Sequence, residues 1–194
     1  EDNVRAAVEL GLEKIAITDH GPAHLFGMGI KNSEILLEQK RMAIALAKRW
    51  PQIQILVGVE ANVVSQDGQL DVPESVLDQL DLVLIGLHPR VRPASLAAAK
   101  ALVWNNWLAR FRAFESQAIA ANTKALLSAL ERYQVDFVVH PGLHLKIDTL
   151  ALAKAASRCG AALELSGGHG AEREYVEKVL QTDVKLVISS DAIS

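Results

Sequence analysis

The chain has 194 residues, half of them hydrophobic and 22% charged, with a formal net charge of −3. That is enough chain for one domain with a sizeable core, and it excludes a bulk positive field for nucleic acid. No apolar run reaches the roughly 18 residues needed to span a membrane, nothing at Glu1-Asp2-Asn3 reads as a secretory leader, and the single Cys159 excludes an internal disulfide and fits a reducing, cytoplasmic setting.

Strand-like and helix-like patterns alternate along the chain. Residues 3–8 read as helix, with Val4, Ala7 and Val8 on one face and Gly11 as a stop. A pattern that opens in mid-helix without Met leads us to expect further chain upstream. Strand 14–18 follows, then a Gly/Pro-rich loop over 21–32. A helix over 33–49 is capped by Asn32 or Ser33, carries Ile35, Met42, Leu46 and Trp50 along one side, and ends at Pro51. Strand 53–59 precedes a turn at Gln66-Asp67-Gly68, and Asp71-Val72-Pro73-Glu74 opens a short helix. After strand 82–87, residues 95–132 are Ala-rich and helical, with Asn105-Asn106 as the place to bend or break. The stripe Trp104, Trp107 and Phe111 is expected in the core; left exposed, it would support a dimer. Strand 135–139 leads to a helix over 149–159 capped by Asp148. Leu152, Ala156 and Cys159 share one face of that helix, which makes Cys159 a core residue rather than a nucleophile. Strand 161–165, helix 171–181 and strand 185–190 complete the pattern. With no repeat or linker, residues 1–194 read as a single domain.

Regular βα alternation with nearly continuous apolar strands implies a parallel sheet covered by helices. A doubly wound sheet and a barrel both place ligands at the carboxyl ends of the strands. Five of the runs end at residues that metals favour: Asp19-His20, Glu60, His88, His140 and Asp191. A barrel brings these distant ends into one pocket, so a barrel lacking one strand at its start is the expected architecture. Histidine and carboxylate ligands without thiolate suit Zn, Mn or Fe. Several in one pocket can hold two ions, with a carboxylate such as Glu60 as the bridge, and such a site hydrolyses phosphoesters without a Ser or Cys nucleophile.

Other rim residues carry weaker signals. Gly167-Gly168-His169-Gly170 precedes a helix and offers N–H groups and His169 to a phosphate, or serves only turn geometry. Arg90 and Arg92 follow His88 and can clamp phosphate, although solvated arginines are the commoner case. His24 and His144 read as solvated loop residues, and Asp19 as one that orients the site without binding metal.

Thr18-Asp19-His20-Gly21, Gly58-Val59-Glu60, Gly86-Leu87-His88, His140-Pro141-Gly142 and Ser190-Asp191-Ala192 resemble, in order, the successive motifs of the PHP (polymerase and histidinol phosphatase) domain family. The resemblance covers essentially the whole chain and is closest to stand-alone phosphatase-type members. It implies a distorted seven-stranded TIM-like (βα) barrel, here with its first strand absent, and up to three divalent metals at the carboxyl rim. It also implies hydrolysis of a small phosphomonoester such as histidinol phosphate. By motif position, His20, Glu60, His88, His140 and Asp191 are metal ligands. Glu60 bridges and, with Asp191, is catalytic; His169 and Arg90 are assigned to substrate. Two departures stand out. The opening His-x-His and a further His would precede Glu1, and the last motif has Ile193 where the family has His. Fewer than three metals are therefore expected here. A degenerate barrel that binds a metal or phosphorylated ligand without catalysis is one alternative. A PHP-type nuclease is the other, disfavoured by the acidic charge and the lack of polymerase sequence. Oligomeric state is left open.

Overall fold

The computed structural model describes residues 1–168 and 173–189. Six strands form one sheet: β1 (Lys14–His20), β2 (Gln54–Asn62), β3 (Leu82–Gly86), β4 (Phe137–Val138), β5 (Ala162–Ser166) and β6 (Lys185–Ser189). All neighbours are parallel and the spatial order is the chain order. A doubly wound sheet must reverse its order at a switch point, and this one never does. Successive crossovers of the same hand put the helices on one face, so the sheet curls into a half-barrel. All six expected strands are present. This α/β half-barrel of six parallel strands is consistent with the distorted barrel expected from the sequence.

Strand alternation divides the two faces. Val59 and Ala61 of β2, Val83 and Ile85 of β3, Val138 of β4 and Leu163 of β5 pack against the helices in the main core. Glu60, Asn62 and Glu164 occupy the intervening positions and point to the opposite, concave face. The core is completed by α2 (Glu34–Ala47), the short α3 (Glu74–Leu77), α6 (Glu115–Arg132), α7 (Thr149–Cys159) and α8 (Arg173–Val179). A separate small cluster seats α1 (Asp2–Glu9) through Val4 and Ala7 on Ile53, beside Ile15 and Trp50.

Local signals explain some helix ends. Asn32 Oδ1 accepts the Glu34 N–H at 3.1 Å ahead of α2, and Asp148 Oδ1 accepts the Ala151 N–H at 3.0 Å ahead of α7. The buried face of α2 differs from the expected one. It is set by Leu36 and Ala43, whereas Met42 is exposed. Two polar residues account for the rotation: Gln39 donates to Asp19 of β1, and Lys40 pairs with Asp81. In α7, Leu152 and Ala156 are fully buried but Cys159 is exposed, contrary to the expected core position. It lies in the last turn before Gly160, whose φ of 77° turns the chain toward β5. Angular position on a helix does not say how far the covering layer reaches.

The segment before α6 is also corrected. α4 (Leu96–Ala98) runs into a π-helical stretch (Ala99–Trp104) and α5 (Asn105–Leu108), and a 3-10 turn (Arg112–Phe114) leads to α6. The break falls at residues 109–111, not at Asn105-Asn106. Asn106 is held in place because its side-chain amide exchanges hydrogen bonds of 2.7 and 2.8 Å with the buried Asn122. Trp104, Trp107 and Phe111 are about half exposed and not in the core. α6 already covers the sheet through Ala121, Ala125, Leu126 and Ala129, which leaves the aromatic stripe outside.

Leu163 and Leu152 are both fully buried in this core. Truncation of either to Ala is expected to cost about 2–5 kcal/mol in urea unfolding. Leu180→Ala, at a largely exposed position, is expected to change stability by no more than about 0.5 kcal/mol.

Candidate metal centre

Parallel register places His20 of β1 directly opposite Glu60 of β2. Glu60 is buried, and its Oε1 is the point on which three imidazoles converge. His88 Nε2 lies 2.9 Å away, His140 Nε2 3.4 Å and His20 Nδ1 3.5 Å. His88 Nε2 and His140 Nε2 are 3.3 Å apart. Burial works to raise the Glu60 pKa, but the close approach of the His140, His88 and His20 imidazoles outweighs it. The carboxyl is held well below its ordinary 4.5.

Two buried atoms of this cluster, Glu60 Oε1 and His20 Nδ1, have no hydrogen-bond partner. Buried polar atoms are normally satisfied, so both are left for something else. His20, Glu60 and His88 each offer a ligand atom within 4.8 Å of the others. A carboxylate and imidazole nitrogens gathered in this way fit a divalent cation of the Zn, Mn or Fe class.

The chain supports this set through residues that sequence reasoning passed over. β2 does not stop at residue 59 but continues to Asn62, so Glu60 sits inside a strand. Asn62 is fully buried, two residues on and on the same face. Its Nδ2 donates to Asp71 Oδ2 at 2.7 Å, which leaves Oδ1 to accept from His88 Nδ1 at 2.8 Å. The proton is thereby placed on His88 Nδ1, and the Nε2 lone pair faces Glu60. Asp71 also accepts the backbone N–H groups of Asn62 and Ala23, each at 2.8 Å. Spacing of two from Glu60 was the available signal for Asn62; Asp71 carried none beyond that of a helix opener. Gly86 clears the way for His88, since a Cβ there would lie 2.4 Å from His88 Cε1.

Glu164 is the other overlooked residue. It is 2% exposed in β5, where its carboxylate accepts the His140 backbone N–H and the Ser189 hydroxyl. His140 needs that anchor because its φ of 26° is costly for a residue with a side chain. A charged residue in an otherwise apolar strand, facing away from Leu163, was the signal. A cavity of about 550 Å³ opens beside His140, lined among others by Glu164, Tyr175, Lys146 and Lys178. Lys146 pairs with Glu115, and Lys178 with Glu174. The Tyr175 hydroxyl donates to the Glu164 carbonyl at 2.9 Å, and burial raises its pKa.

The remaining expected residues separate. Asp19 faces the helix side with Gln39, away from the cluster. Arg90 and Arg92 are exposed and enter this region by their backbones: the Arg90 carbonyl accepts from Leu25 N–H, and Arg92 N–H donates to Ala23. His144 has its ring 6.3 Å from that of His140. His24 lies on a loop as expected and is half-buried, and its ring stands beside the cluster, 4.9 Å from the His20 ring and 5.5 Å from the His88 ring. His169, Asp191 and Ile193 lie outside the described residues.

A parallel half-barrel with an imidazole–carboxylate cluster at the carboxyl ends of its strands defines a rim-site α/β protein suited to holding metal. The PHP domain profile matches residues 1–151, and the chain belongs to the PHP domain family. It is similar to a probable phosphatase of Thermoanaerobacter sp. (strain X514), 31% identical over 98% of this chain and 71% of the relative. A probable phosphatase of Shewanella amazonensis (strain SB2B) is 29% identical over 98% of this chain and 68% of the relative. Among solved structures, a chain of archaeal ribonuclease P with mature tRNA superposes with a TM-score of 0.57 at 17% identity. The match covers 98% of this chain and 70% of that one, a likeness of fold.

Asn62→Ala removes the acceptor that fixes the His88 tautomer. Calorimetric titration with Zn(II) is expected to show affinity lower by roughly 10–100-fold.

Proposed function

We propose that this protein is a metal-dependent phosphoesterase acting on a small phosphomonoester of the histidinol phosphate kind. The observation that carries the reading is the buried Glu60 Oε1, without a hydrogen-bond partner and faced by three imidazoles. Similarity to probable phosphatases supports the reaction class. His20, Glu60, His88 and His140 would hold the metal, with Asp191 as a further ligand. A divalent ion of the Zn, Mn or Fe class supplies Lewis acidity toward water and a phosphoryl oxygen.

The chain's own residues do the rest. Glu60, held ionised, balances the cation's charge without first losing a proton. Asn62 and Asp71 keep His88 in the tautomer that presents Nε2. Glu164 holds the turn that aims His140. The cavity beside His140 has room for a small phosphorylated molecule; Arg90, exposed and outside the lining of that cavity, and His169 are proposed to reach the phosphate by their side chains. Among the described residues no helix is long and apolar enough to cross a membrane, and a cytoplasmic setting belongs to the same proposal.

The test is metal analysis with turnover of histidinol phosphate and p-nitrophenyl phosphate, each with added Mn or Zn. Glu60→Gln is expected to lower kcat by more than the roughly 10–100-fold that follows loss of a supporting hydrogen bond. Arg90→Gln is expected to act mainly on KM. Metal uptake without turnover of any phosphoester would favour the non-catalytic barrel. Preference for single-stranded DNA or tRNA, with steep salt dependence, would favour a nuclease.

A further inference from the structure

His24 stands outside the ligand set assigned above, and four observations set it apart from a loop histidine. Its ring lies 4.9 Å from that of His20 and 5.5 Å from that of His88. The imidazole pairs already converging on Glu60 have the same spacing: 5.1 Å for His88 and His140, 5.4 Å for His20 and His88. The backbone that carries it is built in from several sides. Ala23 N–H donates to Asp71, Arg92 N–H to the Ala23 carbonyl, and Leu25 N–H to the Arg90 carbonyl, while His24 bridges Val91. Asp71 is also the residue that locks Asn62, so the acceptor for His88 and the peptide ahead of His24 share one anchor. Finally, His24 Nδ1 lies 3.2 Å from the Leu25 carbonyl. A carbonyl only accepts, so Nδ1 carries the proton and Nε2 keeps its lone pair.

We propose that His24 is a metal ligand through Nε2, a fourth imidazole that holds a divalent cation of the Zn, Mn or Fe class together with His20. The proposal rests on the metal-centre reading above and extends it to a residue on a loop. His20, the nearest imidazole to His24, has its buried Nδ1 without a hydrogen-bond partner and 3.5 Å from Glu60 Oε1, so the residue that would share the cation still has a nitrogen to offer it.

The proposal is tested by Co(II) titration of the whole protein, followed by visible absorption and calorimetry. Wild type is compared with His24→Ala, His24→Asn and His24→Gln, with thermal melts of each metal-free protein. Asn places an amide near the Nδ1 position and can keep the bond to Leu25, but it has nothing at Nε2. We expect His24→Ala and His24→Asn to bind Co(II) at least about tenfold more weakly or with one equivalent fewer, and with a changed spectrum. His24→Asn should melt like wild type. A wild type that binds Co(II), with variants of the same affinity, stoichiometry and spectrum, overturns the role of His24 alone. So does unchanged Co(II) binding with a raised KM, which would place His24 on the substrate. A wild type that takes up no Co(II) overturns the metal centre and this proposal together. Histidine NMR of wild-type protein gives a reading that needs no variant to fold. Zn(II) should shift the His24 Nε2 resonance along with that of His20, and an unshifted His24 resonance contradicts the proposal.

Discussion

The organisation of this molecule depends on one buried negative charge. Glu60 sits in the second strand of the sheet, on the concave face, and is ionised because imidazoles surround it. Burying a carboxylate is costly unless opposite charge and hydrogen bonds compensate. Here His88 and His140 approach the same oxygen while their own nitrogens stand 3.3 Å apart. Two such nitrogens beside one carboxylate require either a proton or a cation between them. The pocket is therefore arranged around a positive charge, and the chain around it is spent on keeping the donors aimed.

That aiming is distributed over the fold. Register between β1 and β2 sets His20 opposite Glu60. Asp71 ties β2 to the loop that carries His24, and through Asn62 it fixes His88. Glu164, on the strand next to the one that leads into His140, holds the left-handed turn there. Each support acts through a backbone N–H or a fully buried amide, so the site is rigid at the level of the main chain. The apolar layer behind it, from Val59 and Ile85 to Leu152 and Leu163, holds the strands whose ends meet at the rim.

Much of this was legible in the sequence, for physical reasons that differ by element. The six strands are continuous apolar runs because helices cover one face and the barrel interior the other, and such runs stand out. Strand ends were less legible. Glu60 and Asn62 look like terminators, yet both are strand residues whose polar atoms are engaged inside the site. The face of α2 was misplaced because Gln39 and Lys40 bond to carboxylates inward instead of facing solvent. Cys159, Trp104, Trp107 and Phe111 were assigned to the core on residue type and angle, and neither reports where the covering layer ends. His20, Glu60, His88 and His140 were recognisable as strand-tip ligand types. Asn62, Asp71 and Glu164 were not, because their role arises only when separate strands are brought together. His24 illustrates the same limit: its loop lies against the cluster only once Asp71 and Val91 hold it there.

Anomalous diffraction from crystals of the protein grown with Mn(II) or Zn(II) tests the central claim most directly. The account predicts an ion bonded to Glu60 Oε1 and to the Nε2 atoms of His88 and His140, at about 2.0–2.2 Å for Zn. Anomalous density absent from the Glu60 cluster at saturating metal, or confined to other parts of the molecule, would contradict it.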